Sequence, residues 1–338
     1  MTKGKRKRYR TTIISTIILI CMLVMVGALS ACTRQSNNNS IDDGIKEEVA
    51  SNQEENKEGQ DKDSDIKLEE ATQVKEDPIK EDNPESELNE VPQGSDGEKA
   101  FDYTVDSSGL SNKGLSWSFK RNSTHTPVIG YNQGIELDKY DAHYKVDTEE
   151  KVIYLTFDEG YENGYTATIL DILLENDVQA AFFVTKPYIE SSTDLSIRMK
   201  EEGHIVANHS VTHSSFPELS NDQIKEELEQ TAQAFYDATG YNMDLFFRTP
   251  SGNFSERVLN EVRNQGYSSI FWSLAYVDWD VNKQPGAEYV YNHIMENYHP
   301  GGIFLLHAVS QSNTEALDRV LKALKQEGYR FGSLYELE

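Results

Sequence analysis

Cysteine is scarce in this sequence. Its 338 residues contain two, Cys21 and Cys32, so no disulfide can form in the chain beyond them. That part must be held by its own core, and more than 200 residues are enough to build one. Positive charge is scarce as well: 32 Lys and Arg stand against 57 Asp and Glu, a net of −25. Residues 101–338 alone carry 36 acids and 18 bases, a net of −18. Such a surface repels polyanions and excludes nucleic acid as a partner. Phe, Trp and Tyr are absent from residues 33–100, where 21 acids meet 8 bases. A segment so charged and so poor in apolar groups cannot offset the entropy of ordering. Residues 32–100 are therefore expected to be an acidic, disordered linker.

The N-terminus has the opposite character. Residues 1–10 hold six Lys and Arg and no acid. Thr11 to Leu29 is almost wholly apolar and runs into Leu29-Ser30-Ala31-Cys32. Basic, apolar and small segments in that order make residues 1–31 an export signal. The last four residues resemble the lipobox of bacterial lipoproteins, whose cysteine is lipidated and becomes the new N-terminus. The competing reading is an uncleaved transmembrane helix, which needs roughly 20 apolar residues. Either one leaves the rest of the chain outside the cytoplasm, tethered to a membrane by a lipid on Cys32 or by the helix.

From Lys151 onward, β-type apolar runs alternate with amphipathic stretches. Strands are predicted at 152–157, 180–185, 204–207, 245–248, 269–274, 302–306 and 329–334. Helices are predicted at 164–176, 194–202, 221–239, 256–265, 287–298 and 313–327. Ser220 with Gln223 and Ser312 with Glu315 match the capping box. Gly240, Gly266 and Gly328 fall where left-handed C-caps belong. Seven strands alternating with six helices give a parallel α/β fold, best drawn as a closed or nearly closed seven-stranded barrel over 151–338. Residues 101–150 lack the rhythm. Their Trp117, Phe119 and Tyr144 predict an extension packed on the barrel.

A parallel barrel gathers the carboxyl ends of its strands on one face. The polar residues at those ends are Asp158-Glu159, His209 with His213, Arg248, Asp278-Trp279 and His307. Each is unremarkable alone: an Asp-Glu pair is usually a solvated turn, and a lone Arg is usually on the surface. Together they have the makeup of a metal-assisted hydrolase. Paired acids suit one base and one metal ligand. Two histidines four apart on a helical turn put both imidazoles on one side. A guanidinium at a strand end can hold a carboxylate ionised. An Asp can orient a histidine, and a Trp offers a flat face to a sugar ring. His204, at a strand start, reads as a structural histidine.

These segments resemble the five motifs of the polysaccharide deacetylases, the NodB-like carbohydrate esterases of family 4, over about Lys151 to Leu337. The resemblance implies a distorted (β/α)7 barrel that removes acetyl groups from chitin, xylan or peptidoglycan with one divalent metal. Zinc is the default for an acid-His-His site, with cobalt, manganese and nickel as alternatives. Carried over motif by motif, it makes Asp158 the general base and Glu159, His209 and His213 the metal ligands. Arg248 would orient the base and Asp278 would tune His307, the general acid. Trp279, Leu305, Tyr161 and the backbone N–H of Ser251 would meet the substrate. Glu159 departs from the family's Asp, and His307-Ala308-Val309-Ser310 departs from its commoner His-Asp. With Gly160-Tyr161-Glu162-Asn163-Gly164-Tyr165, these departures resemble the sporulation subgroup, the delta-lactam-biosynthetic de-N-acetylases. The implied substrate is N-acetylmuramic acid in the glycan strand of spore cortex peptidoglycan, with other cortex-processing enzymes as partners. Lys186 is then the candidate to meet the lactyl carboxylate. The rival readings are an N-acetylglucosamine deacetylase and a wall-binding lipoprotein with an impaired site.

Overall fold

The structure is a computed structural model that describes residues 105–337. The expected signal, the lipidation site at Cys32 and the acidic linker lie outside the described residues. Strands β1 (Leu115–Ser116), β2 (Phe119–Lys120), β3 (Ile129–Gly130) and β4 (Ala142–His143) precede the βα repeat. The repeat proper supplies β5 (Val152–Glu159), β6 (Ala181–Val184), β7 (Ile205–Asn208) and β8 (Asp244–Phe247). It continues with β9 (Asn253–Phe254), β10 (Ser268–Ile270), β11 (Gly302–His307) and β12 (Arg330–Phe331). Helices α1 (Thr166–Glu175), α2 (Lys186–Ser191), α3 (Thr193–Glu201), α4 (Asn221–Thr239), α5 (Glu256–Asn264), α6 (Ala287–Asn297) and α7 (Gln311–Gln326) lie between them.

The main sheet runs β11-β5-β6-β7-β8-β10-β4, and β12 pairs with the first two residues of β5. All its pairings are parallel. Past β10 the chain returns to β11: Leu274 bridges Phe304 in parallel, and the Leu305 N–H donates to the Leu274 carbonyl at 2.9 Å. The ring is completed lower down by the segment before β5. Ala142 and His143 pair with Ser269 and Ile270, and Lys145 bridges Gly302. The extension therefore does more than pack on the barrel, because part of it enters the sheet. Trp117 anchors the rest by stacking on Phe271 at 4.6 Å and donating its indole N–H to the Trp272 carbonyl. The expected seventh strand shrinks to two residues, after which Leu334–Glu336 turns into a 3₁₀ helix.

β5 is apolar on both sides because both are covered. Val152 and Tyr154 meet Ala181, Phe183, Ala207, Phe246 and Ile303 inside the barrel. Ile153, Leu155 and Phe157 pack outward against α1, α2 and α7. This alternation decides which residues can reach the mouth.

Two helix ends match expectation closely. The reciprocal capping box of Ser220 and Gln223 opens α4, and Gly240 closes it at φ 76°. The other predicted box fails. Ser310, not Ser312, caps α7, taking the Asn313 N–H at 3.1 Å. Helix α2, absent from the sequence reading, is capped by Thr185 and has Pro187 in its first turn.

Candidate active site

β5 and β11 end side by side at the mouth, and His307 is the register partner of Asp158. Adjacent strands lie about 4.8 Å apart, so the two residues are neighbours across the ladder. Asp158 shares the inward face with Tyr154. One of its oxygens accepts a 2.7 Å hydrogen bond from Arg248 Nη1, and the other lies 3.6 Å from His209 Nε2. Burial alone would raise the Asp158 pKa, but Arg248, His209 and His307 outweigh it and hold the carboxyl below its usual range.

Arg248 is fully buried. Its guanidinium lies 4.1 Å from the Phe183 ring centroid and donates through Nε to the Ile270 carbonyl. Its carbonyl in turn meets His209 Nδ1 at 2.8 Å. That contact fixes the buried His209 ring and leaves Nε2 for the mouth. Desolvation lowers the His209 pKa, which favours the neutral imidazole a metal requires.

The segment from His209 to His213 is a loop, not the helical turn the spacing predicted. Ser210 at φ 75° and His213 at φ 54° are both left-handed, and together they bring the imidazoles to 4.9 Å in an edge-on arrangement. Such backbone costs on the order of 1–3 kcal/mol per residue, so it must be held from outside. Glu227 on α4 does this. It accepts the backbone N–H groups of Val211 and Thr212 at 2.8 and 2.9 Å and the Thr212 hydroxyl at 2.7 Å. Ser210 Oγ takes the His213 N–H at 3.0 Å. The outer edge of His213 is open to solvent, and its pKa is displaced downward by desolvation and by His209. Glu227 was missed in the sequence, yet it had a signal: an acid on the buried stripe formed by Ile224, Leu228 and Thr231.

His307 Nδ1 meets Asp278 Oδ1 at 2.7 Å. Burial pulls the His307 pKa down, but the carboxylate and its hydrogen bond reverse this, and the net shift is upward. About a quarter of the side chain remains exposed, at 24%. Leu305 lies two residues earlier on the same inward face and is buried beneath it.

Glu159 does not join the cluster. Expected as a metal ligand, it faces the helix layer, where its carboxyl accepts the Thr166 hydroxyl at 3.4 Å and the second oxygen has no partner among the described residues. Burial first and Glu162 second raise its pKa well above the normal carboxyl value. The reason is geometric. β5 continues through Glu159, so strand alternation persists to the last residue, and Gly160 turns the chain too late to swing the side chain inward.

Tyr161, Lys186, Ser251 and Trp279 lie on segments that follow the carboxyl ends of the strands. Tyr161 is 52% exposed, in a loop tied to its neighbours by Asn163, which donates to the Val309 carbonyl at 2.9 Å. Trp279 follows Asp278 and is half-buried, and Ser251 is exposed at φ 54°. Gly252 closes the arginine segment at φ 65°, where an added Cβ would come within 2.8 Å of the Trp272 ring. Lys186 opens α2, its N–H on the Ser210 carbonyl and its amine 3.8 Å from Glu190. His204 is structural: its ring accepts the Ala180 N–H and meets Phe182 edge-on at 5.3 Å.

Among the described residues no three His, Cys, Asp or Glu side chains form a ready-made metal set. The donor chemistry still fits a divalent ion through His209 and His213, two low-pKa imidazoles with Asp158 as the nearest carboxylate. It does not fit one through Glu159.

The sequence profile of the polysaccharide deacetylases matches residues 145–270. The chain is 45% identical to the Bacillus subtilis peptidoglycan-N-acetylmuramic acid deacetylase PdaA over 227 residues, 67% of this chain and 86% of that protein. The solved structure of Bacillus subtilis PdaA, a family 4 carbohydrate esterase, superposes with a TM-score of 0.66 at 45% identity. It covers 68% of this chain and 98% of the other. A Bacillus cereus peptidoglycan-N-acetylglucosamine deacetylase is more distant, 29% identical over 202 residues, 59% of this chain and 72% of the other. Deacetylases of this kind generally use a divalent metal. A parallel barrel with an arginine-held acid and an aspartate-held histidine at its mouth thus coincides with close sequence identity, and the chain belongs to the polysaccharide deacetylases, the NodB-like family 4 carbohydrate esterases that hydrolyse N-acetyl amide bonds.

Proposed function

We propose that this protein removes the N-acetyl group of N-acetylmuramic acid in peptidoglycan glycan strands, and that the freed amine then closes on the lactyl carboxyl, with loss of its hydroxyl as water, to give muramic δ-lactam. The observation that carries the chemistry is the pairing of Asp158 with His307 across two strand ends, each held by its own buried partner. The sugar rests on the identity to PdaA and on the loop Gly160-Tyr161-Glu162-Asn163-Gly164-Tyr165.

In this reading Asp158, with one oxygen occupied by Arg248, takes the proton of the attacking water on the other. His307 holds Nδ1 against Asp278, so it delivers a proton from Nε2 to the departing amine as the C–N bond breaks. Acid–base groups of this kind contribute roughly 10²–10⁴-fold each. The products are acetate and a free amine. The Ser251 N–H donates to the oxyanion, Leu305 walls the acetyl methyl, and Trp279 and Tyr161 line the sugar groove. His209 and His213 would hold the divalent ion, with zinc as the default. When bound, it supplies Lewis-acid polarisation of the acetamide carbonyl.

The assay is acetate release from peptidoglycan by the purified protein, with and without a chelator. Loss on chelation and recovery with Zn²⁺ or another divalent ion are expected. Activity indifferent to chelation would remove the metal from the reading. The outward turn of Glu159 favours one rival, a wall-binding protein with an impaired site, and absence of acetate release from any glycan would promote it. The tether is proposed to place the enzyme outside the cytoplasm on a membrane. Labelled palmitate should appear in the wild-type chain and not in Cys32→Ala, and label in neither would favour the uncleaved helix.

A further inference from the structure

Asp278 does not meet His307 alone. Its carboxylate accepts three donors: His307 Nδ1 at 2.7 Å, the His307 backbone N–H at 2.8 Å, and Asn313 Nδ2 at 2.6 Å. Asn313 lies in the first turn of α7 and is buried at 2% exposure. Its amide also donates to the His307 carbonyl at 3.2 Å. Its oxygen accepts the hydroxyl of Tyr276, another buried side chain.

The bonding of the asparagine is therefore directional. A phenol hydroxyl donates to the amide oxygen, which leaves only the NH₂ end to face Asp278. An amide with both ends engaged is locked against rotation. Neighbouring contacts lock the backbone too. Ser310 Oγ caps Asn313, and Gln284 joins the Asp278 loop to the start of α7 by donating to the Asp278 carbonyl and accepting from Ser310 Oγ and the Ser312 N–H.

We propose that Asn313, aligned by Tyr276, is a positioning residue: it holds the Asp278 carboxylate in the plane that fixes the His307 ring. The inference deepens the deacetylase reading, since it concerns the residue assigned there as general acid. Asn313 touches neither substrate nor reacting atoms, so its effect passes through Asp278. Outer groups that orient a catalytic side chain change activity by about 10–100-fold when removed.

The test uses the purified full-length protein. Asn313→Asp keeps the shape but turns an acceptor toward Asp278, and Tyr276→Phe frees the amide to rotate. For Asn313→Asp, kcat for acetate release should fall about 10–100-fold with KM within about 2-fold. Tyr276→Phe should fall in the same direction by less. Without substrate, the low-field ¹H resonance of the His307 Nδ1 proton should move or vanish in Asn313→Asp and shift slightly in Tyr276→Phe. Near-UV circular dichroism checks the fold. Should Asn313→Asp fail to fold, Asn313→Ser and Tyr276→Phe carry the same measurements. Unchanged kcat and an unmoved resonance in folded variants would overturn the proposal. If the wild type deacetylates nothing, the functional reading fails, while the resonance still tests the positioning.

Discussion

Asp158 and Glu159 are consecutive in β5 and face opposite layers of the molecule. Asp158 meets Arg248 inside the barrel, and Glu159 meets Thr166 on the first helix. Two acids that look interchangeable in the sequence therefore cannot serve one ion in this backbone. Glu159→Gln should leave Zn²⁺ affinity within roughly 3-fold of wild type. His209→Ala and His213→Ala, which each remove an imidazole, should lose at least about 100-fold, beyond the range of outer-layer changes. Calorimetric titration ranks the three, and a Glu159→Gln loss equal to that of the histidines would mean that the carboxylate turns inward to bind.

The same burial has a consequence for stability. The folded-state pKa of Glu159 is raised by desolvation and by Glu162. Above the ordinary carboxyl value the unfolded chain releases this proton while the folded one keeps it, so the unfolded state binds fewer protons. Stability then falls as pH rises from about 4.5 toward the folded pKa. Glu159→Gln removes the penalty. Its melting temperature should exceed that of wild type, by a margin that grows from pH 5 to pH 8, at roughly 2–4 °C per kcal/mol relieved. A margin constant with pH would show that Glu159 titrates normally.

Much of this was legible because local signals agreed with the tertiary result. α4 could be bounded from sequence because Ser220, Gln223 and Gly240 each do one local job. The strand ends carrying Asp158, Arg248 and His307 were legible because apolar runs stop there. What depended on one residue's direction was not. Whether β5 ends at Phe157 or at Glu159 decides where the second acid points, and the sequence contains no breaker before Gly160. The spacing of His209 and His213 predicts a helical turn, and spacing cannot reveal left-handed backbone at two non-glycine residues. Asn313 had a faint signal, an amide on the stripe of Leu317, Val320 and Leu324, but nothing linked it to Asp278, 35 positions away. β4 went unseen because two residues of strand leave no periodicity.

The Arg248–Asp158 pair should separate catalysis from stability. Both groups are buried, at 0% and 6% exposure. Removing one partner of such a pair typically costs about 3–5 kcal/mol, because the other charge stays buried. Arg248→Met should therefore lower the melting temperature sharply and abolish turnover. Asp158→Asn keeps an acceptor for Nη1 and should cost less stability, while still reducing kcat by about 10²–10⁴-fold with metal content unchanged. Near-normal turnover in Asp158→Asn would remove the base assignment.

His307 predicts a pH limb. Its pKa lies above the free-histidine value of about 6.5 because Asp278 outweighs burial. A general acid must be protonated to act, so activity should persist above pH 6.5 and fall as pH rises through the folded pKa. Asp278→Asn takes away the raising charge and leaves the burial. The alkaline limb of kcat should then move to lower pH, and the maximum should drop. A limb that stays in place would assign it to another group.

The substrate prediction turns on groove shape and charge. A muramic sugar carries a lactyl group on its third carbon, so the groove around Tyr161 and Trp279 must be open where an N-acetylglucosamine enzyme could be closed. Tyr161 is exposed and Trp279 half-buried. The lactyl carboxylate needs a cation, and Arg248 is fully buried against Asp158. Lys186 begins the helix beside Ser210, and its one ion pair among the described residues, with the exposed Glu190, is loose at 3.8 Å. A screened surface pair of that kind is worth about 0–1 kcal/mol, so the amine can exchange partners at small cost. Lys186→Met should raise KM for peptide-free glycan strands about 3–10-fold, the loss of roughly one modest ion pair. It should leave kcat, metal content and melting temperature near wild type. Peptide-free strands and chitooligosaccharides offered side by side decide the sugar, with muramic δ-lactam or free muramic amine read by mass spectrometry. The strands are offered free of stem peptide because, in the proposed reaction, the new amine needs a free or exchangeable lactyl carboxyl to close on. Deacetylation confined to the chitooligosaccharides would transfer the assignment to N-acetylglucosamine, and an unchanged KM in Lys186→Met would pass the carboxylate contact to another residue.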